Sequence, residues 1–183
     1  ANLLAACPGF YHQSSGDIFR RLNKDSDLGR TFLKYSTRGD LVPDDVTINV
    51  WKANIEAHET LCDFQPGRDI LLLDGIPRNP AQARIMDEHI EVLLVLHLIC
   101  ADDLVIERLR KRALRENRPD DAKDEVIRRR LEVYHKETRP VLDHYDASRV
   151  REIDPIGTPL QVLARILEHV SPIQNTQFGN TLA

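Results

Sequence analysis

The feature that most constrains the fold is the continuous apolar run VLLVLHLIC at residues 92–100. Apolar and polar residues do not alternate along it, which is typical of a strand that is buried on both faces, as strands in parallel sheets are. The run ILLLD at residues 70–74 has the same character. Shorter strands are predicted at residues 9–13 and 149–154. These runs predict a mostly parallel sheet that is covered by helices.

Segments with helical character separate the predicted strands. They comprise two short helices within 14–40, a helix at 45–62 with Asp44 as its N-cap, 81–89 after Pro80, 102–117, 120–146 with a break at Pro140, and 158–170. This alternation predicts an α/β fold, in which ligands bind beyond the carboxyl ends of the parallel strands. The polar tail at residues 171–183 is expected to be frayed.

Composition argues against several classes of protein. The chain of 183 residues is 42% hydrophobic and 30% charged, which is ordinary for one soluble domain. Only 5% of the residues are aromatic and the net charge is -4, so we expect no nucleic-acid partner. No stretch approaches the length of apolar sequence that a membrane-spanning helix needs, so we expect no membrane association.

The cysteines and histidines show no pattern of a metal site. Cys7, Cys62 and Cys100 are far apart and form no CxxC pair, which is typical of reduced thiols in a cytoplasmic protein. The histidines at 12, 97 and 135 have no ligand spacing and are expected to be structural. We therefore expect a cytoplasmic protein without a disulfide framework or a zinc site.

Four separated stretches combine glycine, an acid and arginine at predicted turns and strand ends. They are SSGDIFR (14–20), GDLVPDD (39–45), DGIPRNPAQ (74–82) and RLRKRALRENRPDD (108–121). Arginine is always charged and binds phosphate through two parallel hydrogen bonds, and an aspartate at a strand end can hold Mg²⁺ through water. Together these residue types indicate phosphoryl transfer, in which catalysis consists mostly of positioning and of neutralising negative charge.

In this set the chain resembles the adenylate kinase family of nucleoside monophosphate kinases, over roughly residues 8–170. The motifs S-[ST]-G-D-x-x-R, G-x-L-V-P-D-[DE], D-G-x-P-R-x-x-x-Q, R-x-x-x-R, R-x-D-D and a later R-L occur in order with matching spacing. Ile76 replaces the usual Phe of D-G-F-P-R. The resemblance implies a three-layer, doubly wound parallel sheet in a single domain over residues 1–170. It also implies transfer of the γ-phosphoryl group of Mg·ATP to AMP, which gives two ADP.

The resemblance further implies roles for individual residues. Ser15 corresponds to the hydroxyl beside the acceptor base, and Arg20 and Arg78 correspond to the arginines that bind the acceptor phosphate. Gln82 corresponds to the glutamine that reads adenine. Asp74 corresponds to the carboxylate beside Mg²⁺, with water between them.

The other positions carried over from the family form three groups. Further AMP-binding positions are Asp40, Leu41, Val42, Gly75, Arg118 and Arg130. The ATP-binding positions are Arg108, Arg112 and Gly157. The catalytic positions are Arg78, Arg112, Arg118, Arg130 and Asp74. An acceptor-binding flap is expected at about residues 15–44 and a short lid at about 112–121, whereas Arg128 and Arg129 are expected on a solvated helix face.

One family element is missing from the sequence. The family begins with a strand, a phosphate loop G-x-P-G-x-G-K-G-T and a helix, whereas ANLLAACPGFYHQ precedes Ser14 here. In the family this first strand is central, between the strands that correspond to residues 70–74 and 92–100. Because the chain begins with Ala1 and not Met, we expect that an upstream part was processed, cut or omitted.

These observations leave alternatives open. Without the loop, the 183-residue chain is expected to be inactive or nearly so. Asn79 after Arg78 is similar to the UMP/CMP kinase branch, so a pyrimidine acceptor is an alternative to AMP. A pseudokinase that binds nucleotide without transferring phosphate is a second alternative. The expected partners are ATP and AMP, and a monomer is expected.

Overall fold

Parallel strands alternate with helices along residues 1–116 and 123–178, the part of the chain that the computed structural model describes. The strands are β1 (Phe10–Ser14), β2 (Ile70–Asp74), β3 (Val95–Leu98) and β4 (Val150–Ile153). The helices are α1 (Asn2–Ala5), α2 (Ser15–Arg21), α3 (Asp27–Ser36), α4 (Asp44–Thr60), α5 (Pro80–Met86), α6 (Asp102–Arg115), α7 (Asp124–Val133) and α8 (Pro159–Phe178). The predicted α/β class is therefore confirmed.

The described strands pair as two parallel ladders of two strands each. β1 pairs with β2, with Phe10 opposite Ile70 and Ser14 opposite Asp74. β3 pairs with β4, with Val95 opposite Val150. Since β1 and β2 are parallel and in register, both carboxyl ends lie at the same edge of their sheet. The residues that follow Ser14 and Asp74 are thereby brought together.

Strand β2 is covered on both faces, as its continuous apolar sequence predicts, although its side chains are only half-buried. The same prediction for residues 92–100 is wrong in its extent and burial, since β3 spans only Val95–Leu98 and Leu98 is 47% exposed. Leu71 and Leu73 pack against one cluster, formed by buried residues of α4 and α5 and by Ile76. Ile70 and Leu72 pack on the opposite face against a second cluster, formed by Leu4, Phe10 and Val170. Alternate side chains of a strand point to opposite faces, so β2 lies between two layers of helices.

The second cluster also connects the two ladders. Leu94 and Leu96, in and beside β3, pack against the same buried residues as Ile70 and Leu72 of β2. Leu163 and Ile166 of α8 complete the contact. One face of both ladders is therefore covered by the same helical layer, in which α8 is the main element.

The long helix predicted at 120–146 is interrupted, as Pro140 indicated. α7 ends at Val133, a π-helical turn follows at Tyr134–Thr138, and a 3-10 helix spans Arg139–His144. Proline cannot donate the backbone hydrogen bond that a helix interior requires, which explains the change of geometry. The predicted beginning of this helix, residues 120–122, lies outside the described residues.

Two predictions about helix ends are wrong. Asp44 is the first residue of α4 and Pro43 is the N-cap residue, because the Asp44 side chain accepts hydrogen bonds from α5 and its N-cap and not from its own helix. The polar tail is not frayed at residues 171–178, because α8 continues through Pro172 to Phe178. Gln174 Nε2 donates to the Pro8 carbonyl oxygen at 3.0 Å and attaches this part of α8 to the loop before β1.

None of the described helices is both long and apolar enough to cross a lipid bilayer.

Two neighbouring residues of α5 test the core between this helix and β2. Met86 is 0% exposed and belongs to the first cluster, whereas Ile85 is 36% exposed. We expect Met86→Ala to lower the free energy of unfolding by about 3 kcal/mol, because it removes buried methylene groups and leaves a cavity. Ile85→Ala should cost less than about 1 kcal/mol. Urea unfolding measures both values, and equal losses would contradict this packing.

Candidate functional site

A cavity of about 770 Å³ lies at the carboxyl ends of β1 and β2 and is also bounded by β3, α6 and α7. Most of the side chains predicted to be functional line it. These residues are Ser15, Arg20, Asp40, Leu41, Val42, Asp74, Gly75, Arg78, Gln82, Arg112 and Arg130. These residues come from distant parts of the chain. Ser15 and Gly75 directly follow the ends of β1 and β2, Arg112 and Arg130 lie on α6 and α7, and residues 40–42 lie in the loop before α4.

The turn after β2 fixes the centre of this cavity. Gly75 has a φ angle of 78°, a left-handed conformation that favours glycine. Its carbonyl oxygen accepts hydrogen bonds from Ser15 Oγ and from Arg78 Nε, both at 2.7 Å. The Nη atoms of Arg78 carry four further N–H donors in a planar fork. The turn therefore presents a guanidinium group whose orientation is set by the backbone.

Several cations surround Arg78. Desolvation lowers the pKa of the Arg78 guanidinium from its ordinary value, and the charge of Arg130 lowers it further, with smaller contributions from Arg20 and Arg112. The nearby Asp74 carboxylate acts in the opposite direction. Arg78 is accessible to solvent through the cavity but is surrounded by protein atoms, and arginine stays cationic at neutral pH. Around Arg78, the charges of three further arginines outweigh that of Asp74, so this part of the cavity suits an anion with more than one negative charge. The rest of the described lining adds Arg139 and the carboxylates of Asp40, Asp102 and Glu152.

Asp74 is the candidate residue for holding a metal ion. Its side chain is 61% exposed, and its Oδ2 atom lies 3.8 Å from His12 Nε2. In residues 1–116 and 123–178 no group of three or more His, Cys, Asp or Glu side chains could hold a metal ion. A single exposed carboxylate fits Mg²⁺, which keeps several waters and shares its other ligands with substrate phosphates. It does not fit a metal that requires a complete set of protein ligands.

The predicted acceptor flap is attached to α7. Arg129 Nε donates to Asp40 Oδ1 at 2.9 Å, so Arg129 is exposed as predicted but is also ion-paired. Gly39 has a φ angle of 76°, and a Cβ atom there would lie 2.9 Å from the Val126 carbonyl oxygen. The loop that carries the cavity residues 40–42 therefore lies directly against α7.

Arg20, near the beginning of the predicted flap, is oriented by a contact with another residue of α2. Its Nη2 atom donates to Asp17 Oδ1 at 2.7 Å. Ser14 is the N-cap of this helix, since its Oγ accepts from the Asp17 backbone N–H at 3.3 Å. The S-S-G-D-x-x-R motif thus begins a helix, binds the Gly75 carbonyl and positions one arginine of the cavity.

The amide of Gln82 is held at both ends, and Asp44 provides one of the contacts. Gln82 is 1% exposed. Its Oε1 accepts from the Arg78 backbone N–H at 2.8 Å, and its Nε2 donates to Asp44 Oδ1 at 2.7 Å. Asn79 Nδ2 donates to the same Asp44 oxygen at 2.8 Å, and Asn79 Oδ1 caps α5 by accepting from the Gln82 backbone N–H at 2.8 Å. Sequence reasoning missed this role of Asp44, although the residue lies within the quoted G-D-L-V-P-D-D motif.

A second residue missed by sequence reasoning is Ser36. Its hydroxyl is buried, lines the cavity, and has no hydrogen-bond partner among the described residues. No motif includes Ser36. Only its position at the end of α3, a few residues before the cavity residues 40–42, could have indicated that it lines the cavity. A buried hydroxyl without a partner is uncommon in folded proteins, which distinguishes Ser36 from the other residues of this wall.

Three predicted positions are not among the cavity-lining residues. Arg108 Nη2 donates to the Pro155 carbonyl oxygen at 2.7 Å, which places it against the loop that contains Gly157. Gly157, which precedes α8, has a φ angle of 127° and lies beside the side chain of Gln161 in the first turn of that helix. Arg118 lies outside the described residues, as does the second half of the predicted lid, residues 117–121. The structure therefore groups Arg108 with the Gly157 loop, apart from the residues that line the cavity.

Comparison with known proteins agrees with the motifs. The family model described as adenylate kinase matches residues 1–150. An adenylate kinase of Thermobifida fusca (strain YX) is 36% identical over 174 residues, which cover 91% of this chain and 88% of that protein. An adenylate kinase of Bifidobacterium longum (strain NCC 2705) is 35% identical over 164 residues, which cover 86% of this chain and 84% of that protein. An adenylate kinase of Nocardia farcinica (strain IFM 10152) is 37% identical over 173 residues, which cover 91% of this chain and 88% of that protein. The chain belongs to the adenylate kinase family of phosphotransferases.

Proposed function

We propose that this site is built for an adenylate kinase reaction, in which the γ-phosphoryl group of Mg·ATP is transferred to AMP and two ADP are formed. The observation that carries the proposal is the convergence of Arg20, Arg78, Arg112 and Arg130 on one cavity that also contains the Gln82 amide. A cluster of cations beside a neutral hydrogen-bonding group matches a molecule with a phosphate at one end and a base at the other.

The acceptor half of the site follows from this arrangement. Arg20 and Arg78 bind the acceptor phosphate, and the turn at Gly75 sets the direction of the Arg78 guanidinium. Gln82 reads the base, since one N–H of Nε2 and one lone pair of Oε1 remain after its contacts with Asp44 and Arg78. The Ser15 hydroxyl and residues 40–42 line the space between these groups.

The transferring phosphoryl group lies toward the other arginines. Arg112 and Arg130 stabilise the charge that spreads over its oxygens, together with Arg118 from the lid. Mg²⁺ bound through water beside Asp74 would screen the charges of the reacting phosphates. Arg108 and the Gly157 loop belong to the ATP side, next to α8. Closure of the flap and the lid excludes water, so the phosphoryl group passes to the nucleotide and not to water.

The two ladders are best explained as halves of one doubly wound sheet. Among the described residues, β2 pairs only with β1 and β3 pairs only with β4, while β2 and β3 share the helical layer of α8. The position between them suits a central strand followed by a glycine-rich phosphate loop, as in the family pattern. Residues 1–13 contain neither G-x-x-x-x-G-K-[ST] nor a strand that occupies this position. The chain as it stands therefore lacks the amides and the lysine that cradle the donor phosphates.

AMP is the preferred acceptor in this proposal. Asn79, which is similar to the UMP/CMP kinase branch, uses both ends of its side chain to cap α5 and to bind Asp44. Gln82 lines the cavity, whereas Asn79 is not among the described residues that line it. An amide that lines the cavity can match the donor and the acceptor at the Watson–Crick edge of adenine.

The first prediction separates binding from catalysis. We expect the 183-residue chain to bind AMP but to form no detectable ADP from Mg·ATP and AMP, because the donor phosphates lack their loop. Arg78→Ala should weaken AMP binding by at least about tenfold, since a charged hydrogen-bonding partner is lost. Arg128→Ala, an exposed arginine on α7, is the matched control and should change it less than about twofold.

Calorimetric titration measures AMP binding, and a coupled assay measures ADP. Turnover equal to that of the Thermobifida fusca relative in the same assay would show that the missing loop is not required. Absence of AMP binding would refute the acceptor site itself. Binding without turnover is also the behaviour of a pseudokinase. Adding the family's strand and loop upstream of Ala1 distinguishes the two, because only an enzyme would then form ADP.

The second prediction concerns the acceptor base. Titration of the chain with AMP, CMP and UMP should give the highest affinity for AMP, because Gln82 and not Asn79 lines the cavity. Affinity for CMP above that for AMP would favour the pyrimidine alternative.

The third prediction compares two glycines with similar backbone angles. A Cβ atom on Gly75 would lie 2.9 Å from Ser15 Oγ and 3.0 Å from an Arg78 terminal nitrogen, whereas one on Gly67, with a φ angle of 82°, would meet nothing within 4 Å. Both alanine variants should lose roughly 1 kcal/mol of stability from the positive φ angle. Only Gly75→Ala should also weaken AMP binding, as measured by calorimetry. A similar loss of affinity in Gly67→Ala would assign the effect to stability alone.

A further inference from the structure

The Asp44 carboxylate connects two amide side chains that are distant in sequence. Its Oδ1 atom accepts from Gln82 Nε2 at 2.7 Å and from Asn79 Nδ2 at 2.8 Å, across 38 and 35 residues. Gln82 lines the cavity, but Asp44 is not among the described residues that line it. Asp44 therefore acts on the cavity through Gln82.

The contacts of Gln82 determine which end of its amide faces which partner. The oxygen and nitrogen of a glutamine amide are nearly the same size, so the group can rotate by half a turn unless its partners distinguish them. A carboxylate only accepts and a backbone N–H only donates. Nε2 must therefore face Asp44, and Oε1 must face the Arg78 backbone.

The local structure supports a carboxylate at this position. Asp44 is the first residue of α4, and the unpaired N–H groups at the start of a helix favour a negative charge. Asn79, the second donor to Asp44 Oδ1, is itself fixed as the N-cap of α5. The Asp44 carboxylate is thus stabilised by the start of α4 and by Asn79 at the start of α5, and it accepts a hydrogen bond from Gln82.

We infer that Asp44 is a positioning residue that fixes the polarity of the Gln82 amide and so sets the preference for the acceptor base. This inference rests on the proposed function, in which Gln82 reads that base. Adenine offers a donor at its 6-amino group beside an acceptor at N1, whereas hypoxanthine offers an acceptor at its 6-oxo group beside a donor at N1. A glutamine amide fixed in one orientation matches one of these patterns and opposes the other.

The test compares the affinities of AMP and IMP for the full 183-residue chain and three variants by calorimetric titration. Asp44→Leu removes the acceptor and keeps the number and branching of the side-chain heavy atoms. Asp44→Asn keeps one oxygen acceptor without the charge. Asp45→Leu is the matched control, because Asp45 is the next residue of the same first helical turn and is exposed.

Asp44→Leu should weaken AMP binding about tenfold and reduce the ratio of AMP to IMP affinity at least about fivefold, because a buried amide donor loses its partner. Asp44→Asn should lie between Asp44→Leu and the unchanged chain, with a ratio reduced about threefold, since a neutral acceptor gives a weaker hydrogen bond. Asp45→Leu should leave the ratio within twofold of the unchanged chain.

Four results would overturn the inference. The first is a ratio of AMP to IMP affinity in Asp44→Leu that stays within twofold of the ratio in the unchanged chain. If the unchanged chain binds AMP, this result leaves the proposed function intact. Another is an equal reduction in Asp45→Leu, which would assign the effect to charge at the start of α4. If Asp44→Leu fails to fold, as judged by its unfolding transition, an unchanged ratio in Asp44→Asn overturns the inference instead. If the unchanged chain does not bind AMP, the proposed function fails and this inference fails with it.

Discussion

The carbonyl oxygen of Gly75 is the contact on which the site depends. It accepts from Ser15 at the start of α2 and from Arg78 in the turn before α5, both at 2.7 Å. Strand β2 ends just before it and is packed on both faces, so this oxygen cannot move without disturbing the core. The packing of β2 thus fixes the position of the Gly75 carbonyl oxygen, and this oxygen in turn fixes the orientation of the flexible Arg78 side chain.

The part of the cavity around Arg78 is cationic, although the chain as a whole is not. The net charge is -4, yet Arg20, Arg112 and Arg130 lie close enough to Arg78 to lower its pKa, against the opposite effect of Asp74. Folding brings these like charges close together, which costs free energy that a bound polyanion offsets. The preference for phosphate is therefore a local property of the folded chain and is not visible in the overall composition.

The sequence predicted the parallel strands because strands buried on both faces carry continuous apolar runs, as β2 does. It predicted that Ser15 lies near Asp74 and Gly75, because these residues stand at the carboxyl ends of two strands, and such ends lie together in a parallel ladder. It did not predict that α8 continues past Val170, since Pro172 and the polar residues around it argue locally for a helix end. The role of Asp44 was also missed, because its partner Gln82 lies 38 residues away and a local pattern contains no information about such a contact.

The contacts of α8 have a consequence for the order in which the chain folds. Val170 packs with Leu4 and Phe10, and Gln174 binds the backbone of Pro8 across 166 residues. One face of β1 and β2 therefore lacks the cover of α8 until nearly the whole described chain has left the ribosome. Contacts between residues so distant in sequence form late, because the intervening chain must first lose its conformational freedom. During synthesis, the apolar side chains of that face are exposed for longer than those beneath α4 and α5, whose covering helices lie close to β2 in the sequence.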